Sequence, residues 1–287
     1  MDRIIKILCF VSLFVVLQIS AIAQTKYFPD GDPKKLQFEI TPVLWLPWVS
    51  GQVGAAGPLK NINGNINATP ADLINHLKMF ADLNLDISKG HVIGFVDYIY
   101  LSLASDNNQA PWQPGGFASW SAQIKSNVLD IAGGGRFNFD KGMVDGFVGV
   151  RYFDLDNALQ LNYGNSSKNG SAKITYWDPF FGTRLFYYPK ERMKLFLRAD
   201  VGGIWGGAAG FSFNSEAKFA YAVSPTIDIA GGFRYWTFKY SENNNIQNTS
   251  FSRSYFINPS LYGFELSATF MIPKRSNADK VFPKIKN

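Results

Sequence analysis

The stretch that decides the fold is residues 172–207, AKITYWDPFFGTRLFYYPKERMKLFLRADVGGIWGG. It reads as two strands joined by the tight turn Pro189-Lys190-Glu191-Arg192. In the first strand Trp177, Phe181, Leu185 and Tyr187 alternate with Tyr176, Asp178, Gly182 and Arg184. In the second, Leu195, Leu197, Ala199 and Val201 alternate with Lys194, Arg198, Asp200 and Gly202. Successive strand side chains point to opposite faces, so one face is apolar and aromatic while the other mixes charges of both signs with glycine. In a soluble sandwich the apolar face would be the core. In a membrane barrel it would meet lipid, and the charges would fill the lumen.

Working outward, the chain opens with Met1-Asp2-Arg3-Ile4-Ile5-Lys6, an apolar run from Ile7 to Ile19 and Ala21-Ile22-Ala23. This is the pattern of a secretory signal cleaved before Gln24. The single cysteine, Cys9, falls inside it, so no disulfide framework, thiolate metal site or cysteine nucleophile is expected in the mature chain. After the signal no apolar run is long enough for a spanning helix, which leaves a closed barrel as the only way to cross a membrane. The net charge of +6 sits mostly at the ends: the signal carries one net positive charge, and the tail after Pro273 carries four. The body is then close to neutral and shows no basic stripe, so no nucleic acid partner is expected. Aromatic residues make up 16% of the chain, which suits the girdles of a membrane barrel.

Strand patterns follow in a regular rhythm: 36–48, 78–87, 91–103, 121–139, 143–161, 173–188, 193–204, 211–223, 226–240 and 262–272. Short turns at 88–90, 140–142, 189–192 and 224–225 alternate with longer stretches rich in Asn, Gly and Ser at 49–77, 104–120, 162–172, 205–210 and 241–261. That asymmetry predicts short periplasmic turns and long outer loops. Thr69 followed by Pro70 predicts a short helix over 69–77 in the first outer loop, with Thr69 as N-cap. Residues 61–67 read as an extra short strand able to pair with 51–56.

The strongest internal signal is parity. Gly134/Arg136, Gly149/Arg151, Gly182/Arg184 and Gly232/Arg234 repeat a G-x-R pattern in which the two residues share a face. The same faces carry Asp130, Asp145, Asp178, Asp200 and Asp228, with Arg198 on the strand that includes Gly202. Glu39, Asp82, Asp86, Asp97 and Glu265 occupy the corresponding faces of other strands. The expectation is a lumen charge network of Arg136, Arg151, Arg184, Arg198, Arg234, Asp130, Asp145, Asp178, Asp200 and Asp228, with the glycines making room for guanidinium groups. Such a network can simply fill a narrow lumen, or it can form a charged constriction that selects small solutes. Trp45, Trp48, Tyr98, Tyr100, Tyr187, Tyr188, Tyr235, Trp236 and Tyr240, near strand ends, read as interfacial girdles.

Catalytic signals are weak. His91 follows a periplasmic turn and His76 sits in the loop helix; neither has a second histidine at metal-ligand spacing, so no metal is expected. His76 is the better candidate for a spatially assembled Ser-His-Asp group. No phosphate loop or nucleophile elbow is present, and the Gly202-Gly203 and Gly206-Gly207 pairs do not open a helix, so no cofactor is expected. Outer-membrane proteases of the ten-stranded kind use acidic pairs with an Asp-x-His near the outer rim, and this chain has no Asp-x-His.

The segments TPVLWLPWVSG (41–51), GFVDYIYLSL (94–103), GVRYFDL (149–155), WDPFFGTRL (177–185), LRADVGG (197–203), GGFRYW (231–236) and YGFELSATF (262–270) together resemble a broad group of bacterial outer-membrane β-barrel proteins of uncharacterised function. The resemblance covers nearly the whole mature chain. It implies a barrel and an outer-membrane address, and implies no activity or cofactor. Similar chains usually end at the last strand's aromatic residue, whereas here a basic segment follows Ile272.

The expected architecture is therefore all-β: a single antiparallel transmembrane barrel of about ten strands (eight to twelve) with one short helix in the first outer loop. The expected divisions are a signal at 1–23, a flexible lead-in at 24–35, the barrel at 36–273 and a disordered basic tail at 274–287. The expected role is structural or that of a small-solute channel in the cell outer membrane, and not an enzyme. Partners would be outer-membrane lipid and, during insertion, the barrel-assembly machinery. Two alternatives stay open: a lipid-modifying or hydrolytic enzyme at the outer rim, and a soluble periplasmic carrier barrel.

Overall fold

In a computed structural model, residues 35–56, 61–113, 116–163, 166–204, 209–245 and 252–273 are described. The signal, most of the lead-in and the basic tail lie outside them. The strands are β1 (Gln37–Ala56), β2 (Asn61–Ala68), β3 (Leu77–Lys89), β4 (Val92–Gln113), β5 (Gly116–Phe139), β6 (Gly142–Tyr163), β7 (Ser166–Lys190), β8 (Met193–Gly202), β9 (Ala209–Ser224), β10 (Ile227–Asn245) and β11 (Ser252–Ile272), with helix α1 (Pro70–His76) between β2 and β3. Ten of these strands form a closed antiparallel ring: β3 to β11 pair in sequence, β1 pairs with β3, and β11 closes onto β1.

Closure is what makes the fold compatible with a membrane, because the first and last ring strands pair and most of the backbone around the tube is laddered. Following paired residues once around the ring from Trp48 returns to β1 about twelve residues lower. That stagger tilts the strands by roughly 40° and keeps the interior narrow enough for side chains to fill.

The two faces follow the predicted parity. Phe264, Val148 and Leu266 are 60–68% exposed on the outside, as are large parts of Trp177, Phe181, Leu197 and Ile229. Their inward neighbours Asp145, Arg151, Asp178 and Glu265 are almost fully buried. Two aromatic rings bound this outer belt. The upper includes Trp48 stacked on Tyr262 at 6.1 Å and Tyr152 against Trp177 at 4.8 Å. The lower includes Tyr187, Tyr221 and Phe137. Trp177 and Tyr187 are about ten residues apart on β7, which at this tilt spans roughly 25 Å, the height of a membrane barrel's apolar band. Above the upper ring the outward side chains turn polar: Tyr98 donates to Asn127 at 3.0 Å, and Thr175 and Lys173 both reach Asp154.

An arginine on the outside of this belt would have to be buried in hydrocarbon. Leu197→Arg should therefore cost about 2–4 kcal/mol of folding free energy in lipid vesicles, while Lys194→Arg, on the lumen face of the same strand, should cost much less. Equal stability of the two variants in urea titrations would reverse the assignment of faces.

Three expectations need correction. The stretches read as long outer loops are mostly strand. β4 and β5 continue to Gln113 and from Gly116, β6 and β7 to Tyr163 and from Ser166, and β10 to Asn245. Polar strands above the bilayer need no apolar face, so they lack the alternation that betrays the lower halves, and only their backbone ladders reveal them. The extra strand β2 does exist and pairs with β1 from Val49 to Ala56, but it lies beside the ring and adds nothing to the count of ten. Finally, Trp45, Tyr188, Trp236 and Tyr240 are not girdle residues; they are buried in the lumen. Trp48, Tyr98 and Tyr187 are exposed on the outer face.

The helix is capped as its sequence dictates. The Thr69 hydroxyl accepts the Asp72 N–H at 3.2 Å, and the Asp72 carboxylate accepts the Thr69 N–H at 2.8 Å. That reciprocal hydrogen bonding, above all the bond from the Thr69 backbone, holds the Asp72 carboxyl below the usual aspartate range.

Candidate functional site

The lumen is built from the inward positions of every ring strand. Its middle is a web of arginines and carboxylates. Arg151 on β6 makes a bidentate contact to Asp130 on β5 at 2.7 and 2.8 Å and reaches Asp200 on β8 at 2.9 Å. Arg198 on β8 touches three carboxylates: Asp200 at 2.8 Å, Asp97 on β4 at 3.0 Å and Asp130 at 3.1 Å. Arg184 on β7 bridges Asp145 on β6 at 3.1 Å and Asp86 on β3 at 2.5 Å. Arg136 on β5 clasps Asp145 at 2.7 and 2.9 Å. Arg234 on β10 faces Asp82 and Asp97, both at 3.5 Å, and donates to Asn214 at 3.2 Å.

The pairs from β8 to β4 and from β7 to β3 do not join neighbouring strands. They cross the lumen from wall to wall. Aromatic rings fill the space between the guanidinium planes: Arg184 and Arg198 lie 4.5 and 5.0 Å from the Phe95 centroid, and Arg151 lies 4.7 Å from that of Phe180. Flat, weakly hydrated guanidinium groups can stack on rings and still donate in their own plane, which a lysine cannot do.

All ten residues expected in the network face the lumen, in three different settings. Arg136, Arg151, Arg184, Arg198, Arg234, Asp130, Asp145 and Asp200 meet in the web just described. Asp178 is held by neutral donors: it accepts the Gly203 N–H and the Ser212 hydroxyl, each at 2.5 Å. Asp228 lies nearer the short-turn end of the barrel, where it pairs with Lys194 at 3.3 Å. The glycines of the G-x-R pattern make room for rings and backbone more than for guanidinium. A Cβ on Gly182 would lie 2.7 Å from Phe147 Cζ, and one on Gly149 would lie 2.9 Å from Phe180 Cζ.

Further residues complete the web. Lys218 and Glu216 form a close ion pair on β9, and Asn214 donates to Asp200 at 3.0 Å. Both Asp82 and Glu265 are buried with carboxylate oxygens that make no hydrogen bond. Asn214, Glu216 and Lys218 share one strand face, so the parity rule that found the arginines would have found them too. A cavity with about 890 Å³ of unfilled space, part of it open solvent, runs from Gln37 and Thr269 up to the web residues Arg136, Arg184, Arg198 and Arg234.

Above the web lies an apolar layer that sequence reading missed. Phe153, with 0% exposure, stacks on Tyr176 at 4.5 Å and packs against Trp236 and Phe238 at 5.7 and 4.9 Å. Trp45, Ile99, Val128, Leu155, Ile174 and Tyr240 complete it. The signal was available: Arg234, Trp236, Phe238 and Tyr240 alternate along β10, so the aromatics share the arginine's face.

The histidines stand apart from this chemistry. His76 uses Nδ1 on the Asp72 carbonyl at 2.7 Å, within its own helix. His91 uses Nδ1 on the Arg136 carbonyl at 2.9 Å, at the short-turn end of the barrel. Among the described residues no group of three or more His, Cys, Asp or Glu side chains has the arrangement of a metal site.

No family model matches the chain, and no curated protein matches it. Solved structures do. The barrel superimposes on the outer-membrane protease OmpT of Escherichia coli with a TM-score of 0.51, covering 87% of this chain and 99% of that one at 10% identity. The fold is that of an outer-membrane β-barrel. A second match, to the translocator domain of the autotransporter NalP of Neisseria meningitidis, has a TM-score of 0.38 and 12% identity, and covers 82% of this chain and 86% of that one. The lipid-facing belt and the shared fold agree on a place in the cell outer membrane. They leave no support for a soluble carrier, whose polar face would be outside. The expectation that the chain is not an enzyme is overturned by the first match, because this fold carries a protease.

Proposed function

We propose that the protein is a sealed outer-membrane barrel: a membrane-anchored scaffold that works with its outer half and does not pass solutes through its axis. The observation that carries this reading is the ion pair from Arg198 on β8 to Asp97 on β4, which spans the lumen. Arg151 at 1% exposure and Asp145 at 0% support tight filling around it, and the aromatic layer above supports a second closure. A charged constriction that conducts needs exposed, hydrated charge, and these charges are spent on one another. The strands that continue past the upper aromatic ring then form a stiff wall standing clear of the bilayer.

Planar-bilayer recording tests the reading. The folded protein should give no discrete conductance steps in concentrated KCl. Regular ohmic steps from the unmodified barrel would show an open axis and restore the channel reading.

A further inference from the structure

Among the described residues the wall is interrupted above Phe180, where β7 pairs with β6 alone, and, lower down, between β1 and β3. β1 pairs with β3 only from Gln37 to Pro42, and with β2 only from Val49 to Ala56. Between them, Val43–Trp48 is laddered to β11 alone. On the facing strand, 77–82 pair with β4 alone. Pro42 is the last residue of the β1–β3 ladder and Pro47 lies within the break, and neither has an N–H to offer a ladder. Because Trp48 belongs to the upper aromatic ring, the break lies at and just below that ring, in the outer-leaflet half of the apolar belt. Open backbone facing hydrocarbon is expensive unless something covers it. Helix α1 lies beside the break, in contact with β1 and β4.

Behind the break is an apolar pocket with about 610 Å³ of unfilled space, part of it open. Leu44, Phe80, Leu101 and the α1 residues Leu73 and Ile74 form its walls, and Trp45 and Trp236 reach it from the lumen. Both indoles are buried, at 3% and 4% exposure, and neither Nε1–H has an acceptor. A buried donor without an acceptor is unfavourable, so each indole would gain from an acceptor brought within reach of its N–H. At its mouth Ile74, Leu77 and Met79 are 37–58% exposed at the level of lipid.

We propose that the break between β1 and β3 is a lateral portal, and that the pocket behind it takes one fatty-acyl chain from the outer leaflet. The chain lies against the leucine and phenylalanine walls. Its carbonyl or carboxylate accepts from the indole N–H groups. The apolar walls open sideways onto hydrocarbon, which favours a chain already in the membrane over a solute from water. This inference does not depend on the sealed-lumen reading, since conductance reports on the axis and chain binding on the wall.

The probe is cis-parinaric acid, a fluorescent fatty acid, added to the folded protein in detergent micelles and read by energy transfer from tryptophan. Transfer should saturate. Leu101→Trp, which fills the pocket, should weaken binding at least about tenfold. Val148→Trp, on the lipid face of β6, should not weaken it. Trp45→Phe keeps most of the ring and removes one N–H; it should weaken the acid by about threefold to tenfold, yet leave a carbonyl-free hydrocarbon probe such as diphenylhexatriene unchanged. Heat-modifiable gel mobility verifies that each variant is folded. Displacement by palmitate alone assigns the chain to free fatty acid, and displacement by phosphatidylcholine as well assigns it to a phospholipid. Failure of both to displace the probe, absence of saturable transfer, or equal affinity in Leu101→Trp would overturn the proposal.

Discussion

Arg198→Met should lower the stability of the folded barrel by about 3–5 kcal/mol, the cost of leaving buried charge unpaired. Arg198 is the cation shared by Asp97, Asp130 and Asp200, and all four side chains are buried. Methionine fills much of the same volume, so the loss reports on charge more than on a cavity. Urea titration of the barrel in lipid vesicles, followed by tryptophan fluorescence, measures it. The cycle with Asp97→Asn sharpens the test, because a carboxyl already neutralised has less need of its cation. The two changes together should therefore cost clearly less than the sum of each alone. Additive costs would mean that the wall-to-wall contact contributes little, and the seal would have to come from elsewhere.

Phe153→Ala should cost a similar amount, about 3–5 kcal/mol, for a different reason. Phe153 has no exposed surface and touches three other rings, at 4.5, 5.7 and 4.9 Å. Those rings are carried by β7 and β10, so relaxation around the lost side chain would have to move two strands fixed by their ladders. Offset stacking adds to the area term. Phe153→Leu should cost much less, since it preserves most of the volume. The same vesicle titration reads both, and near-ultraviolet circular dichroism should lose intensity in the alanine variant. A cost under about 1 kcal/mol for Phe153→Ala would show that the aromatic layer is loosely filled and does not close the tube.

The sequence made the faces legible and hid the partners. Alternation of two along β7 and β8 was enough to separate Trp177 and Leu197 from Asp178 and Arg198, because a strand has only two sides. It could not show that Arg198 meets Asp97, 101 residues earlier, since that contact depends on the curvature and stagger of the closed ring. The same limit explains Trp236 and Tyr240. Aromatics near a strand end suit a girdle by composition, and only their parity with Arg234 places them inside. The upper halves of β4 to β7 were missed because a polar strand above the bilayer is not required to be apolar on either side. The helix from Pro70 was readable because its cap is a local event, settled within four residues. The pocket beside it was not, because it is made by an absence of pairing between β1 and β3, and Pro42 and Pro47, each lacking one donor, do not say on which side of β1 the ladder is lost.

The unequal seams of the ring have a mechanical consequence. The terminal strands β1 and β11 are locked together along almost their full length, from Phe38 to Ala56, while β1 and β3 share a ladder only up to Pro42. Local opening concentrates where the fewest backbone bonds hold, so within the apolar belt the β1–β3 seam is where the ring should open first.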